Sequence, residues 1–499
     1  MADSHKTIQS RRDFIKTSTA IAAGLAIAPH ISCSTNNVTK LMTRPFGKIG
    51  FDVTTMGLGG QASIQWTPAD VDPVKIILKA FDKGINYFDT SNLYGPSQLN
   101  FGKAFRELSL IPGISGYNEK LRNSIFLTSK THLRWAKGGE EEIEGVGNRT
   151  NGSPDTHTID DLKRTLSQIY GDGEGNYPKG AYLDMMLIHN LNTVNEVDVL
   201  YTGYNNPDAK DENIGALAAL LDYRDGTNNT GLNPKEEKLI KHIGFSGHFS
   251  APVMMDMIRR DEKNILDAML VAINANDKLN FNMQNNVIQV AKAKNMGIIG
   301  MKTFADGAMY TKDATWSREP KHVVRTVGSN QLPSRPLIEY SLSTPGLCTA
   351  IIGIGQISDD PDQCQLTQNI SAAQIKPNGL SETEREDIEK LALNAKEGKT
   401  NYFQVHEGGL TAVTNPMASK LDDNSVKLTW DTAYAGKNMI SSYEIYRGNE
   451  QLGIIEHNPQ TTNTPFSFVV RSTNTGLEEY KIITVDTSGQ KMESAPVTV

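Results

Sequence analysis

The stretch Asn86-Tyr87-Phe88-Asp89-Thr90-Ser91-Asn92-Leu93-Tyr94-Gly95 decides how the rest of the chain is read. Ahead of it, Pro73 suits a first helical turn, and Val74, Ile77, Leu78 and Phe81 recur at helical spacing. Gly84 supplies a left-handed stop, so the residues after it read as a short buried strand running into Asp89. An aspartate there, taken alone, caps a turn. Tyr94 follows five residues on in the next loop, which puts both groups on the face where the chemistry of a strand–helix barrel gathers.

Two later strands repeat the pattern. Lys130 ends the run Ile125-Phe126-Leu127-Thr128-Ser129, and His189 ends Leu183-Asp184-Met185-Met186-Leu187-Ile188. Further apolar runs at barrel-like intervals are Thr54–Leu58, Lys241–Ser246, Ala268–Ile273, Gly297–Lys302 and Cys348–Gly353, with Asn86–Asp89 completing eight. Helical patterns such as Ile159 to Ile169 and Val287 to Lys294 alternate with them. This predicts an α/β chain with a (β/α)₈ TIM barrel, preceded by a small hairpin from Thr43 to Val53. A doubly wound sheet would want a full glycine fingerprint after its first strand, which Gly57-Leu58-Gly59-Gly60 lacks.

Asp89, Tyr94, Lys130 and His189, in this chain order, resemble the catalytic tetrad of the aldo/keto reductase family. The resemblance implies that Tyr94 gives a proton to the alkoxide formed during hydride transfer. Lys130, held by Asp89, is then expected to favour the phenolate, and neutral His189 to orient the carbonyl. It also implies a nicotinamide nucleotide, NADP or NAD, at the ends of strands five to eight. Ser246 matches the serine after strand five, with Gly247 where an asparagine commonly follows; Asn274 agrees at strand six, Lys302 ends strand seven as a point charge, Gly353 ends strand eight, and Gln365 and Asn369 match at the start of the last helix. Family habit favours NADP. The segment from Ile354 to Asn369 has no basic residue for a 2′-phosphate, which weighs the other way.

With 499 residues the chain needs more than one domain. The net charge of -7 and the scattered basic residues argue against a nucleic-acid surface. Cys33, Cys348 and Cys364 are too few for a four-cysteine iron–sulfur cluster, and no metal site is assigned. The run Glu140-Glu141-Glu142 reads as a solvated loop.

Residues 1–33 resemble a twin-arginine export signal: Ser10-Arg11-Arg12-Asp13-Phe14-Ile15-Lys16 precedes a mild apolar run. The expected partner is the twin-arginine export machinery, and the expected place is the periplasm or cell envelope, with Cys33 offering a point for a lipid anchor. Residues 42–396 are read as the barrel, closed by a helix from Ser381 to Lys396 whose first turn carries a Ser381/Glu384 capping box. Residues 397–409 are read as a linker. From 410 to 499 alternation takes over at Val426, Leu428 and Trp430, at Tyr443 and Ile445, at Phe466, Phe468 and Val470, and at Tyr480, Ile482 and Thr484. That is a small all-β sandwich resembling a fibronectin type III module. The expected activity is an exported oxidoreductase acting on a small aldehyde, ketone or sugar. Two alternatives stand beside it: a nucleotide-binding or sensing barrel without turnover, and a carbohydrate-active hydrolase, which needs two strand-end carboxylates.

Overall fold

The computed structural model describes residues 41–310, 312–406, 408–421, 424–471 and 477–499. The export signal read at 1–33, including Cys33, lies outside the described residues.

Eight parallel strands close into a barrel in chain order: Met56–Gly59, Tyr87–Asp89, Phe126–Thr131, Leu183–Leu191, Ile240–Gly247, Leu266–Ala272, Gly297–Met301 and Leu347–Ile352. Alternation along each strand separates two cores. Tyr87, Phe126, Met185, Leu187, Leu270 and Ile299 point inward with Phe46 and fill the barrel. Phe88, Leu127, Met186, Ile188, Met269 and Ile298 belong instead to the larger core shared with the surrounding helices. Because the side-chain period is two, Asp89 continues the inward series of Tyr87, Lys130 that of Phe126, and His189 that of Met185 and Leu187.

The floor is closed by the expected hairpin, Thr43–Pro45 paired with Asp52–Thr54. Between its strands Phe46 packs edge-on against Tyr87 at 5.7 Å and Phe126 at 5.1 Å. A Cβ at Gly297 would lie 2.4 Å from the Phe46 ring, so the seventh strand starts on the residue that leaves room for the plug.

The helix Pro73–Asp82 shows how locally these elements are specified. Pro73 takes its first turn, Asp72 accepts a hydrogen bond from the Val74 amide at 2.8 Å, and Gly84 at φ 81° turns the chain into the second strand. The last helix of the barrel runs Glu382–Leu393 under the predicted capping box. It stops before the expected Lys396, where Lys396 and Glu397 both adopt left-handed φ and reverse the chain over the barrel mouth.

Past residue 410 the chain forms antiparallel sheets. One holds Thr414–Lys420, Ser425–Asp431 and Phe466–Arg471; the other is built on Ile440–Arg447, flanked by Glu450–Glu456 and Glu479–Asp486. A single core drawn from both sheets contains Val426, Leu428, Trp430, Tyr443, Ile445, Tyr480 and Ile482. Thr414–Lys420 and Glu450–Glu456 escaped the sequence reading because few of their side chains are buried, which leaves little alternation to see.

These sheets meet the barrel through the loop after strand six. Asn282 and Asn285 donate to the Gly436 carbonyl at 2.8 and 3.0 Å, Asn286 exchanges two hydrogen bonds with Ala435, and Phe281 packs against Tyr434. Among the described residues no helix is long and apolar enough to cross a membrane.

Candidate active site

Four side chains converge at the C-terminal mouth of the barrel. Lys130 Nζ forms an ion pair with Asp89 Oδ1 and donates to the Thr90 carbonyl at 2.9 Å and to the Tyr94 hydroxyl oxygen at 3.4 Å. The Tyr94 hydroxyl stands 3.5 Å from His189 Nε2. On the far side of that ring, Nδ1 is 3.1 Å from Ser91 Oγ. A Ser91 hydroxyl donating to Nδ1 leaves the ring proton on Nε2, facing the phenol. Asp89, Lys130, Tyr94 and His189 are all buried.

Burial sets the electrostatics. It pushes Asp89 up and Lys130 down, and their mutual attraction opposes both shifts. His189 is driven well below the ordinary imidazole range by burial, with Lys130 adding to it, so the ring is neutral. Tyr94 differs from the expectation of a depressed phenol. Burial, followed by the charges of Asp89 and Asp306, raises it well above the usual value. Burial is the larger effect, and the Lys130 charge, paired with Asp89, does not offset it. Tyr94 therefore stands protonated, with Lys130 N–H directed at its oxygen and its own proton free to point into the cavity.

A cavity of about 110 Å³ opens beside Tyr94 and Asp89, lined by Gly59, Gln61, Lys302 and Gly353 among others. Lys302 has left-handed φ (62°) and is buried; it is paired with Asp306 at 3.3 Å and donates to Gln61 Oε1 at 3.3 Å. Its ammonium lies 4.7 Å over the Trp316 ring. Although burial alone would raise Asp306, Lys302 and Lys312 hold its carboxyl well below the usual range.

The remaining nucleotide candidates divide. Gly353 lines the cavity, and the buried amide of Asn369 has no hydrogen-bond partner for either its nitrogen or its oxygen. Both observations fit a bound polar group, as does Lys302. Ser246, Gly247, Asn274 and Gln365 are committed elsewhere. Ser246 Oγ accepts from the Asn190 amide at 2.9 Å, and Gly247 gives space to Met254, whose sulfur would lie 2.5 Å from an added Cβ. Asn274 bonds to Lys302, Asn276 and Asn401. Gln365 bridges Gly355 and Gln356 to Val324 and Thr326.

Several residues at the mouth were not singled out from sequence. The segment 397–409, read as a linker, is bonded to the barrel: Asn401 to Asn274, Tyr402 to Asp306 at 3.0 Å, and Gln404 to Asp277 at 2.6 Å. Trp316 and Phe403 pack around His248. Arg325, from the loop after strand seven, reaches Gln356 at 2.6 Å and pairs through both terminal nitrogens with the Asp70 carboxylate at 3.0 and 2.6 Å. The only sequence signals were Asp306 four residues after Lys302, and a tryptophan in a long strand-end loop. The acidic run 140–142 is exposed, and no cluster able to hold a metal occurs among the described residues.

A profile of the aldo/keto reductase family matches residues 55–332. Among solved structures, similarity extends to an aldo-keto reductase from Pseudomonas aeruginosa at 20% identity, covering 66% of this chain and 93% of that one with a TM-score of 0.38. An aldo-keto reductase from Klebsiella pneumoniae in complex with NADPH matches at 15% identity, over 70% of this chain and 95% of that one, with a TM-score of 0.40.

Proposed function

Because the chain belongs to the aldo/keto reductase family, we propose that it is an oxidoreductase that interconverts a small carbonyl compound and its alcohol using a nicotinamide nucleotide, NADP or NAD. The observation that carries this is the contact of Lys130 Nζ with the Tyr94 hydroxyl at 3.4 Å, beside neutral His189. Lys302, Gly353 and Asn369 are the groups that would hold the nucleotide. When bound, it supplies or accepts a hydride at the substrate carbon.

The chain's own residues manage the proton. Tyr94 stays protonated until charge develops on the substrate oxygen, then gives up its proton to that far stronger base. Lys130 steadies the resulting phenolate, and its ammonium is kept aimed by Asp89 and the Thr90 carbonyl. His189, fixed by Ser91, donates to the same substrate oxygen and sets its direction. In alcohol oxidation each transfer runs backwards.

Export through the twin-arginine route, in a periplasmic or envelope setting, belongs to this proposal on the strength of Arg11-Arg12 and the apolar run that follows them. Such a route carries folded protein, which suits an enzyme loaded with nucleotide before it leaves the cytoplasm. A nucleotide-binding or sensing barrel without turnover is the second reading, prompted by the altered positions Gly247 and Leu270, where the family commonly carries asparagine and glutamine. The purified protein, tested for co-eluting nucleotide and for turnover of an aldehyde, ketone and sugar panel with NADP and NAD, separates the readings. Turnover with either nucleotide supports the reductase; tight nucleotide without turnover supports the sensor. No affinity for either nucleotide ends both.

A further inference from the structure

The fourth strand breaks its own alternation where the site begins. Ile188 and Leu191 both belong to the core shared with the helices, although an odd step in sequence separates them. The register against the fifth strand shifts over the same step: Ile188 pairs with Phe245, and Leu191 with Gly247. The fourth strand therefore carries one residue more than its neighbour. His189 and Asn190 form a β-bulge, and Asn190 takes up the bend with left-handed φ (57°).

A bulge takes backbone groups out of the ladder, and here side chains collect three of them. The Asn190 amide donates to Ser246 Oγ at 2.9 Å. The carbonyls of His189 and Asn190 accept from Arg134 Nη2 at 2.9 and 3.0 Å, and the same nitrogen reaches Glu196 Oε1 at 3.0 Å. Arg134 comes from the loop after the third strand and is fully buried. Its Nε and Nη1 have no hydrogen-bond partner among the described residues. A guanidinium kept for stability alone would meet a carboxylate with both prongs of its fork. This one leaves two nitrogens unsatisfied, which is unfavourable in a buried site, and gives the third to the bulge. Glu196 completes the frame by accepting from the Gly147 and Asn192 amides at 3.2 and 2.7 Å, which ties the loops after strands three and four together.

His189 is the member of the site that depends on this frame. Its ring keeps Nε2 at 3.5 Å from the Tyr94 hydroxyl and Nδ1 at 3.1 Å from Ser91 Oγ, and both contacts follow from where its backbone is held. We propose that Arg134 is a positioning residue for His189, its guanidinium holding the bulge that aims the imidazole at the substrate oxygen. The proposal rests on the reductase reading for the role of His189 and adds the group that fixes it.

A double-mutant cycle of Arg134→Met and His189→Ala in the full-length protein tests it. With a carbonyl compound that the wild type reduces, kcat/KM is expected to fall roughly a hundredfold in Arg134→Met, the scale of a small misplacement at a reacting centre. In the His189→Ala background the same substitution should cost no more than about twofold, since no imidazole is left to aim. Arg134→Lys, which keeps a cation beside Glu196, recovers part of the loss. An equal fold-change in both backgrounds overturns the proposal, because a guanidinium that only stabilises the fold acts whether or not His189 is present. Full activity in Arg134→Met overturns it too. Arg134→Met strands the Glu196 carboxylate, so Arg134→Met with Glu196→Gln takes its place in the cycle where the single variant does not fold. A nitrogen NMR spectrum of isotope-labelled histidine reads the same clamp without turnover. Wild type is expected to show His189 as one neutral tautomer with its proton on Nε2, and Arg134→Met a mixture; identical His189 signals in the two overturn the proposal. A wild type inactive toward every carbonyl compound counts against the reductase reading alone, since the spectrum still judges Arg134.

Discussion

Asn401 and Asn274 face each other across 127 positions of sequence with both amide hydrogen bonds made, at 3.0 and 3.1 Å. The pair ties the segment after the last barrel helix to the loop after strand six, the same loop on which the C-terminal sheets rest. Closure of the barrel mouth and docking of those sheets therefore share one piece of backbone.

Asn401→Ala leaves both polar atoms of the buried Asn274 amide short of a partner. A loss of about 1–3 kcal/mol in unfolding free energy is expected. Residues 399–406 should then become a site of limited proteolysis in the folded protein. Unchanged denaturation and an unchanged cleavage pattern would show that the pair contributes nothing.

Tyr94→Phe removes the proton and keeps the ring. Turnover should drop by at least roughly a hundredfold, the usual scale for a lost general acid, while thermal stability and nucleotide affinity hold. A variant that retains more than a few per cent of wild-type kcat removes Tyr94 from the acid role.

Lys130→Met strands the Asp89 carboxylate in the barrel. Breaking a buried ion pair from one side costs roughly 3–5 kcal/mol. The double variant with Asp89→Asn should recover much of that loss, because the orphaned charge is gone. Urea denaturation of the three variants measures the coupling, and strict additivity would refute it.

His457 makes the C-terminal sheets acid-sensitive. Its ring sits against Phe466 with Nδ1 3.0 Å from the Tyr443 hydroxyl, and burial lowers it from 6.5 to about 4. Below pH 6.5 the unfolded imidazole takes a proton that the folded one refuses. Stability is therefore present above pH 6.5 and falls as the pH drops toward about 4, by roughly 3 kcal/mol. Unfolding of these sheets followed through Trp430 fluorescence across that range should show the slope in wild type and a flatter one in His457→Phe.

Much of this was legible in the chain. Eight apolar runs at barrel spacing gave the architecture, and the four residues read at or near their ends do converge at the barrel mouth, because a strand's period of two carries a side chain's direction along the sequence. Asp72 and Gly84 bound the first helix through purely local bonds. The nucleotide side was less readable. Asn274 and Gln365 stand at family-like positions, yet an amide bonds to whatever lies opposite, and its partners here come from residues 401 and 324–326.

What the sequence determined by itself was the order of elements and which residues end each strand, since both follow from spacing and local turns. Only the tertiary structure decided that burial keeps the Tyr94 phenol protonated despite Lys130, and that the supposed linker is bonded to the barrel through Asn401, Tyr402 and Gln404. Those outcomes depend on burial and on contacts between distant segments, and no local pattern encodes either.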